Sequence, residues 1–335
     1  MKREIFSLLM NIKNEVLKAI YGPDKITKLV DSEIGAVVVK EPPHNPEDKQ
    51  SPIDSKFKTL LRGGDEVVHI SPETRYFEVA DAGMSRRVAY TISGNLNAKK
   101  VLLCLPGLLE TKASFILLHS YFLKFEECLV ISIDLSGRGE SDSMGDREAY
   151  KMSLYLADIS QLIREVIFRE KVGRAPKLTV LGTSMGGVLA MHLTKIFDGK
   201  ITGIILNDIA LTVNWTSLYS LYKSMKNEAG FKEVRELAKD LSVDERAIRD
   251  VQLPGHFDLS FRADIWGMNF HEALEGYSGK VGLVYGGKSQ ICTKQRVEEA
   301  KEFFPKLKLY EVPDSGHPAP FNIGVCGFIQ SEMNI

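Results

Sequence analysis

The chain has 335 residues, 44% of them hydrophobic, and its 43 basic and 44 acidic residues leave a formal net charge of −1. This balance excludes the broad basic excess of a nucleic-acid-binding protein, and the composition is that of an ordinary globular chain. The length suits a single α/β core with an insertion.

The stretch "MKREIFSLLMNIKNEVLKAIYG" sets Phe6, Leu9, Ile12, Val16 and Ile20 at helical spacing, which predicts a helix with one apolar face. Lys13, Asn14, Glu15 and Lys18 interrupt the apolar residues, so neither a signal-peptide core nor a membrane span is expected, and cytoplasmic is the default location. The apolar face either docks on the body of the protein or serves an outside contact: a homodimer, another partner or a membrane surface. "EPPHNPEDKQSPI" at 41–53 is rich in proline and charge and reads as a linker. Residues 1–72 are therefore expected to form a helical arm and linker.

Beyond this point "TRYFEVAD" and "RRVAYTIS" read as paired strands. "KVLLCLP", "CLVISIDL", "KLTVLG", "ITGIILND", "KVGLVYGG" and "LKLYEVPD" follow, each a short apolar run of the buried-strand type. Helical patterns over 114–124, 155–169, 186–196 and 294–303 separate most of them. Alternation of this kind predicts a mostly parallel, eight-stranded sheet with helices on both faces. The segment 209–279 is too long for a simple crossover after the sixth strand and reads as an inserted helical cap. The core would then be 73–208 with 280–335.

The four cysteines, Cys104, Cys128, Cys292 and Cys326, show no C-x-x-C pair or metal-ligand spacing; three lie in or near apolar runs, where a small buried thiol is the expectation, and a reducing compartment fits. No metal or organic cofactor is implied.

"LTVLGTSMGGVLAM" contains G-x-S-x-G between an apolar strand and a helix. A sharp strand-to-helix turn would lift the Ser184 hydroxyl above the sheet at the positive end of a helix, with Gly182 and Gly186 giving room for the turn. Ser184 is accordingly the candidate nucleophile; the competing readings are a structural turn or a phosphate-binding one. His317, after the last strand, is the candidate base. Among the other histidines, His119 and His192 fall in predicted helices, and His256 and His271 in the cap. Negative charge developing on a substrate oxygen needs fixed donors, and the backbone N–H groups of Met185 and Leu108 are the candidates.

"CLPGLLETKASF", "VISIDLSGRGESD", "YKMSLYLADISQLI", "LGTSMGGVLAM", "IILNDIA", "VYGGKSQICT" and "SGHPAPF" together resemble the α/β-hydrolase superfamily, specifically a capped bacterial serine hydrolase group. The resemblance spans roughly 75–330 and implies the α/β-hydrolase fold and an esterase-like activity on a small-molecule acyl substrate. Two positions depart from the family pattern. Pro106-Gly107 stands where the family usually has His-Gly. After the seventh strand the family carries an aspartate, and here Ser289 or Gln290 occupies that place.

A neutral partner can orient an imidazole but cannot stabilise its positive form, and the loss of the acid in a serine protease lowers turnover by about 10⁴-fold. The superfamily also accepts its acid from the sixth strand, which makes Asp208 the candidate; capping the next helix is its competing role. Asp134 is expected to order the "SGRGES" turn, and Asp314 to lie too close in sequence to face the ring.

Three functions follow from the resemblance. One is a serine hydrolase of a carboxylic ester or related acyl compound. The second is a degenerate, small-molecule-binding relative with little turnover. The third is a C–C bond hydrolase. A serine nucleophile argues against dehalogenase or epoxide hydrolase chemistry, which in this fold uses aspartate. In the cap, Trp215 and Tyr222 lie at helical spacing with Leu218 and are candidate pocket residues, with core packing as the competing reading.

Overall fold

The computed structural model describes residues 72–81, 84–108, 110–144, 150–168, 175–213 and 270–335. The expected arm falls outside these except for residue 72. Most of the expected cap, including Trp215, Tyr222 and His256, lies outside them too.

Eight strands form one sheet: β1 (Thr74–Asp81), β2 (Met84–Gly94), β3 (Lys100–Leu105), β4 (Cys128–Ile133), β5 (Lys177–Thr183), β6 (Ile201–Asn207), β7 (Lys280–Gly286) and β8 (Lys308–Val312). Their order is β1-β2-β4-β3-β5-β6-β7-β8. The pairs β1–β2 and β2–β4 are antiparallel, and all the others are parallel. Each of the eight apolar runs in the sequence is one of these strands.

Helices α1 (Ile116–Phe122), α2 (Met152–Leu162), α3 (Met185–Ile196), α4 (His271–Leu274), α5 (Lys294–Phe303) and α6 (Ile323–Met333) complete the described elements. A 3₁₀ turn, Lys112–Phe115, leads into α1, and α2 continues as a π-helix over Ile163–Phe168. Helix α6 carries no clear apolar periodicity in "IGVCGFIQSEM" and was not expected from the sequence. Its start is set by Asn322, whose side chain accepts from the Val325 N–H.

The central strands have no polar face because helices cover both sides. Val101, Leu103 and Leu105 of β3 join the main core with residues of α2, α3 and α5. Leu102 and Cys104 alternate to the opposite face, where α6 packs along β7 and β8 and touches α1. Each fully buried Leu or Ile contributes about 1.5–3 kcal/mol relative to exposure. All four cysteines are buried free thiols, as the sequence suggested for three of them, and burial holds the thiols of Cys104, Cys292 and Cys326 above their ordinary range.

A charge pair among the described residues is sealed inside. Arg86 and Asp158 meet at 2.6 Å with side chains 2% and 0% exposed, tying β2 to α2. On either side of the segment 214–269, Leu211 and Phe270 are joined, the Phe270 N–H donating to the Leu211 carbonyl at 2.7 Å.

The crossing from β5 to α3 depends on close backbone approach. A Cβ at Gly186 would lie 2.2 Å from the Leu105 carbonyl oxygen and 2.8 Å from that of Pro106, and one at Gly182 would lie 2.2 Å from the Gly186 oxygen. These are backbone atoms of neighbouring elements and cannot swing aside. Gly186→Ala is therefore expected to cost at least about 1–3 kcal/mol of stability, measured as the shift of a urea unfolding midpoint. An unchanged midpoint would contradict this packing.

Candidate active site

The site stands at the carboxyl edge of three adjacent strands. In the parallel register Thr183 of β5 pairs with Asn207 of β6, and Asn207 with Val284 of β7. Ser184 and Asp208 are the residues immediately beyond that paired row. Both hold left-handed backbone, with φ of 48° and 60°. Such a conformation costs a non-glycine residue about 1–3 kcal/mol and persists where the surroundings impose it. For Ser184 the constraint is direct: its N–H donates to the Asn207 carbonyl at 2.9 Å while its own carbonyl accepts from Gly187 and Val188 in the first turn of α3.

His317 bridges the two positions. Its Nε2 lies 2.9 Å from Ser184 Oγ, and its Nδ1 lies 3.2 Å from Asp208 Oδ2. The second approach is at ion-pair distance, but its angle is not that of an aligned hydrogen bond. Contacts of this type tighten when substrate is bound. Asp208 is fully buried, and its Oδ1 accepts from the Gly286 N–H of β7 at 3.3 Å. No helix begins in 209–213, so Asp208 caps nothing there.

The loop carrying His317 is fastened on both sides of the ring. The Lys288 N–H donates to the Ser315 carbonyl at 2.8 Å, and the buried Asn207 amide donates to the Ala319 carbonyl at 3.0 Å. Gly286 lets the loop settle on β7, since a Cβ there would lie 2.4 Å from the Gly316 oxygen.

Ser289 and Gln290 make no hydrogen bond to His317 among the described residues. Ser289 is buried, and its hydroxyl accepts from the N–H groups of Ile291 and Cys292. Gln290 is exposed. Asp134 receives the N–H and Nζ of Lys112, each at 2.7 Å, and the Glu140 N–H at 2.9 Å, so it orders the turn after β4 as expected. Asp314 pairs with Lys288 on the surface at 2.8 Å. His119 is buried in α1 among Ser93, Thr91 and Ser132, away from the site, and burial pushes its pKa down to about 3.

Met185 opens α3, where the first N–H groups of a helix have no partner within it. Leu108 follows β3 and is half-buried. Neither N–H is given to a backbone acceptor among the described residues.

Two further residues, which the sequence reading did not single out, adjoin this edge. Arg138, 1% exposed, donates from Nη1 to the Gly107 carbonyl at 2.8 Å. Glu110, also buried, accepts the Gly107 N–H on Oε2 at 2.7 Å. Burial pushes the Glu110 carboxyl up to about 7, against the Gly107 N–H, the Thr183 hydroxyl and the charges of His317 and Arg138. Their only signal in the sequence is a charged residue inside an otherwise apolar or glycine-rich motif.

Comparison with known proteins bears on the fold. Residues 97–250 match the family model described as serine aminopeptidase, S33. The 3-hydroxybutyrate-oligomer hydrolase of Cupriavidus necator is 22% identical over 288 residues, 75% of this chain and 94% of that protein. An α/β hydrolase from Novosphingobium aromaticivorans shares the fold with a TM-score of 0.62 at 20% identity, covering 78% of this chain and 98% of the other. A thermophilic esterase from Thermogutta terrifontis does so with a TM-score of 0.61 at 18% identity over the same shares. The described residues have the α/β-hydrolase fold. The proteins this chain is similar to are hydrolases, a serine aminopeptidase family and an esterase among them. Among its described residues no helix is long and apolar enough to cross a membrane.

Glu110 makes a pH dependence that can be checked. Folding raises its proton affinity from 4.5 to about 7, so between these values the folded chain holds a proton that the unfolded chain has lost. Its contribution to stability therefore falls as pH rises through that window and is level above it. Glu110→Gln, which keeps an acceptor for Gly107, should gain stability relative to wild type from pH 4.5 to 7 in urea titrations. A difference independent of pH would contradict the assignment.

Proposed function

We propose that this α/β hydrolase cleaves a carboxylic ester or closely related acyl compound through an acyl-enzyme on Ser184. The observation that carries the reading is the His317 ring set between Ser184 Oγ and the Asp208 carboxylate. His317 Nε2 removes the Ser184 proton as Oγ adds to the acyl carbon, and Asp208 stabilises the imidazolium that results. The N–H groups of Leu108 and Met185 receive the negative charge of the acyl oxygen. Collapse of the tetrahedral species expels the alcohol, which takes the proton from His317. Water, activated by the same ring, then releases the acid and restores Ser184.

Ester cleavage is supported by two relatives: one is named for oligomers of a hydroxy acid, which are joined by ester bonds, and another is an esterase. The binding-protein reading drew on the missing acid after β7. A buried carboxylate beside His317, supplied from β6, takes that motive away.

Labelling with a fluorophosphonate, read by intact mass, tests the proposal. Wild type should gain one adduct and Ser184→Ala none. Asp208→Asn keeps an oxygen for the Gly286 N–H but no charge, so esterase turnover should fall by about 10³–10⁴-fold with the fold intact. Wild-type turnover in the Asp208 variant would remove that residue from the mechanism, and labelling of Ser184→Ala would remove the serine.

A further inference from the structure

The loop after β3 has Pro106 where the superfamily pattern carries a histidine, so something else must hold the peptide that offers the Leu108 N–H. We propose that Arg138 is the positioning residue for that donor: its guanidinium holds the Gly107 carbonyl and so aims the Leu108 N–H of the same peptide at the acyl oxygen on Ser184. This rests on the hydrolase mechanism proposed above.

A trans peptide is planar, with its C=O and N–H pointing in opposite directions. Fixing the Gly107 oxygen therefore fixes the direction of the Leu108 N–H. Arg138 Nη1 holds that oxygen at 2.8 Å, and the Glu110 N–H reaches it more weakly at 3.3 Å. The peptide before it is held as well, through the Gly107 N–H on the Glu110 carboxylate at 2.7 Å. Between them, Arg138 and Glu110 leave Gly107 neither polar group free to turn.

Arg138 is itself rigid. Its N–H donates to the Leu135 carbonyl and its carbonyl accepts from Ser141, both at 3.0 Å. The second guanidinium nitrogen, Nη2, is 3.4 Å from the Tyr155 hydroxyl and 3.9 Å from the sulfur of Met185. One planar group thus touches Met185 and the Gly107 carbonyl of the peptide that carries the Leu108 N–H. A guanidinium suits this task because its donors sit in a fixed fork, whereas a lysine would offer a single mobile point. Its positive charge also lies behind the peptide that must stabilise an anion.

A structural clamp alone would change stability or substrate binding. A positioning residue changes the step in which charge develops, so kcat should fall while KM holds. The test measures p-nitrophenyl butyrate hydrolysis and the rate of fluorophosphonate labelling on wild type, Arg138→Met and Arg138→Lys, with folding checked by circular dichroism. Misplacing one donor is worth about 10²-fold, so folded Arg138→Met should lose about that factor in kcat and in labelling rate at unchanged KM. Arg138→Lys should fall between the two.

A folded Arg138→Met with wild-type kcat, or with KM raised and labelling unchanged, overturns the proposal. Should Arg138→Met not fold, Arg138→Lys decides: lowered kcat at constant KM supports it, and wild-type kcat overturns it. If wild type itself fails to label at Ser184, the hydrolase mechanism falls and the positioning role falls with it. If Ser184 labels and only the Arg138 variants behave as wild type, the mechanism stands without the clamp.

Discussion

The parallel register of β5, β6 and β7 is the constraint on which the site depends. Adjacent strands lie about 4.8 Å apart. Pairing Thr183 with Asn207 therefore brings the next residues, Ser184 and Asp208, to neighbouring places on one edge. Both then turn through left-handed backbone. That puts a hydroxyl and a carboxylate within the span of one imidazole, which His317 fills from the loop after β8. A one-residue slip in the β5–β6 pairing would turn every side chain of a strand to the other face and separate the two groups.

The same register explains why the acid can come from β6. Asp208 leans to the end of the adjacent strand, where its Oδ1 accepts from the Gly286 N–H of β7. Asn207, one residue earlier, fastens the elbow through Thr183 and the histidine loop through Ala319. The pair "ND" thus supplies the charge beside the ring and much of the framework that fixes the ring's place. Burial favours the proposed role of Asp208, because a charge screened from water acts more strongly on a neighbouring imidazolium.

Most of this fold was legible in the sequence because its signals are local. Buried parallel strands must be short apolar runs, and "GTSMGG" needs glycine where backbone meets backbone. Helix α6 was missed because both faces of "IGVCGFIQSEM" carry apolar or small residues, so no period stands out. In the site, Ser184 and His317 announce themselves by motif and position. Asp208 was readable only as one of two roles, since choosing between them requires the distance to His317. Arg138 and Glu110 were silent: their importance lies in which backbone groups they meet across loops, and no spacing encodes that.

Everything proposed for the site turns on Asp208, from β6, being the carboxylate that serves His317. Proton NMR of the enzyme carrying a fluorophosphonate adduct on Ser184, with the adduct confirmed by intact mass in each variant, tests it, because an imidazole Nδ1–H held by a buried carboxylate resonates far downfield of the amide region. The account predicts such a signal in wild type, its loss in Asp208→Asn and its survival in Gln290→Ala. A signal that persists in Asp208→Asn would mean that another group holds the ring, and the proposed catalytic arrangement would be wrong.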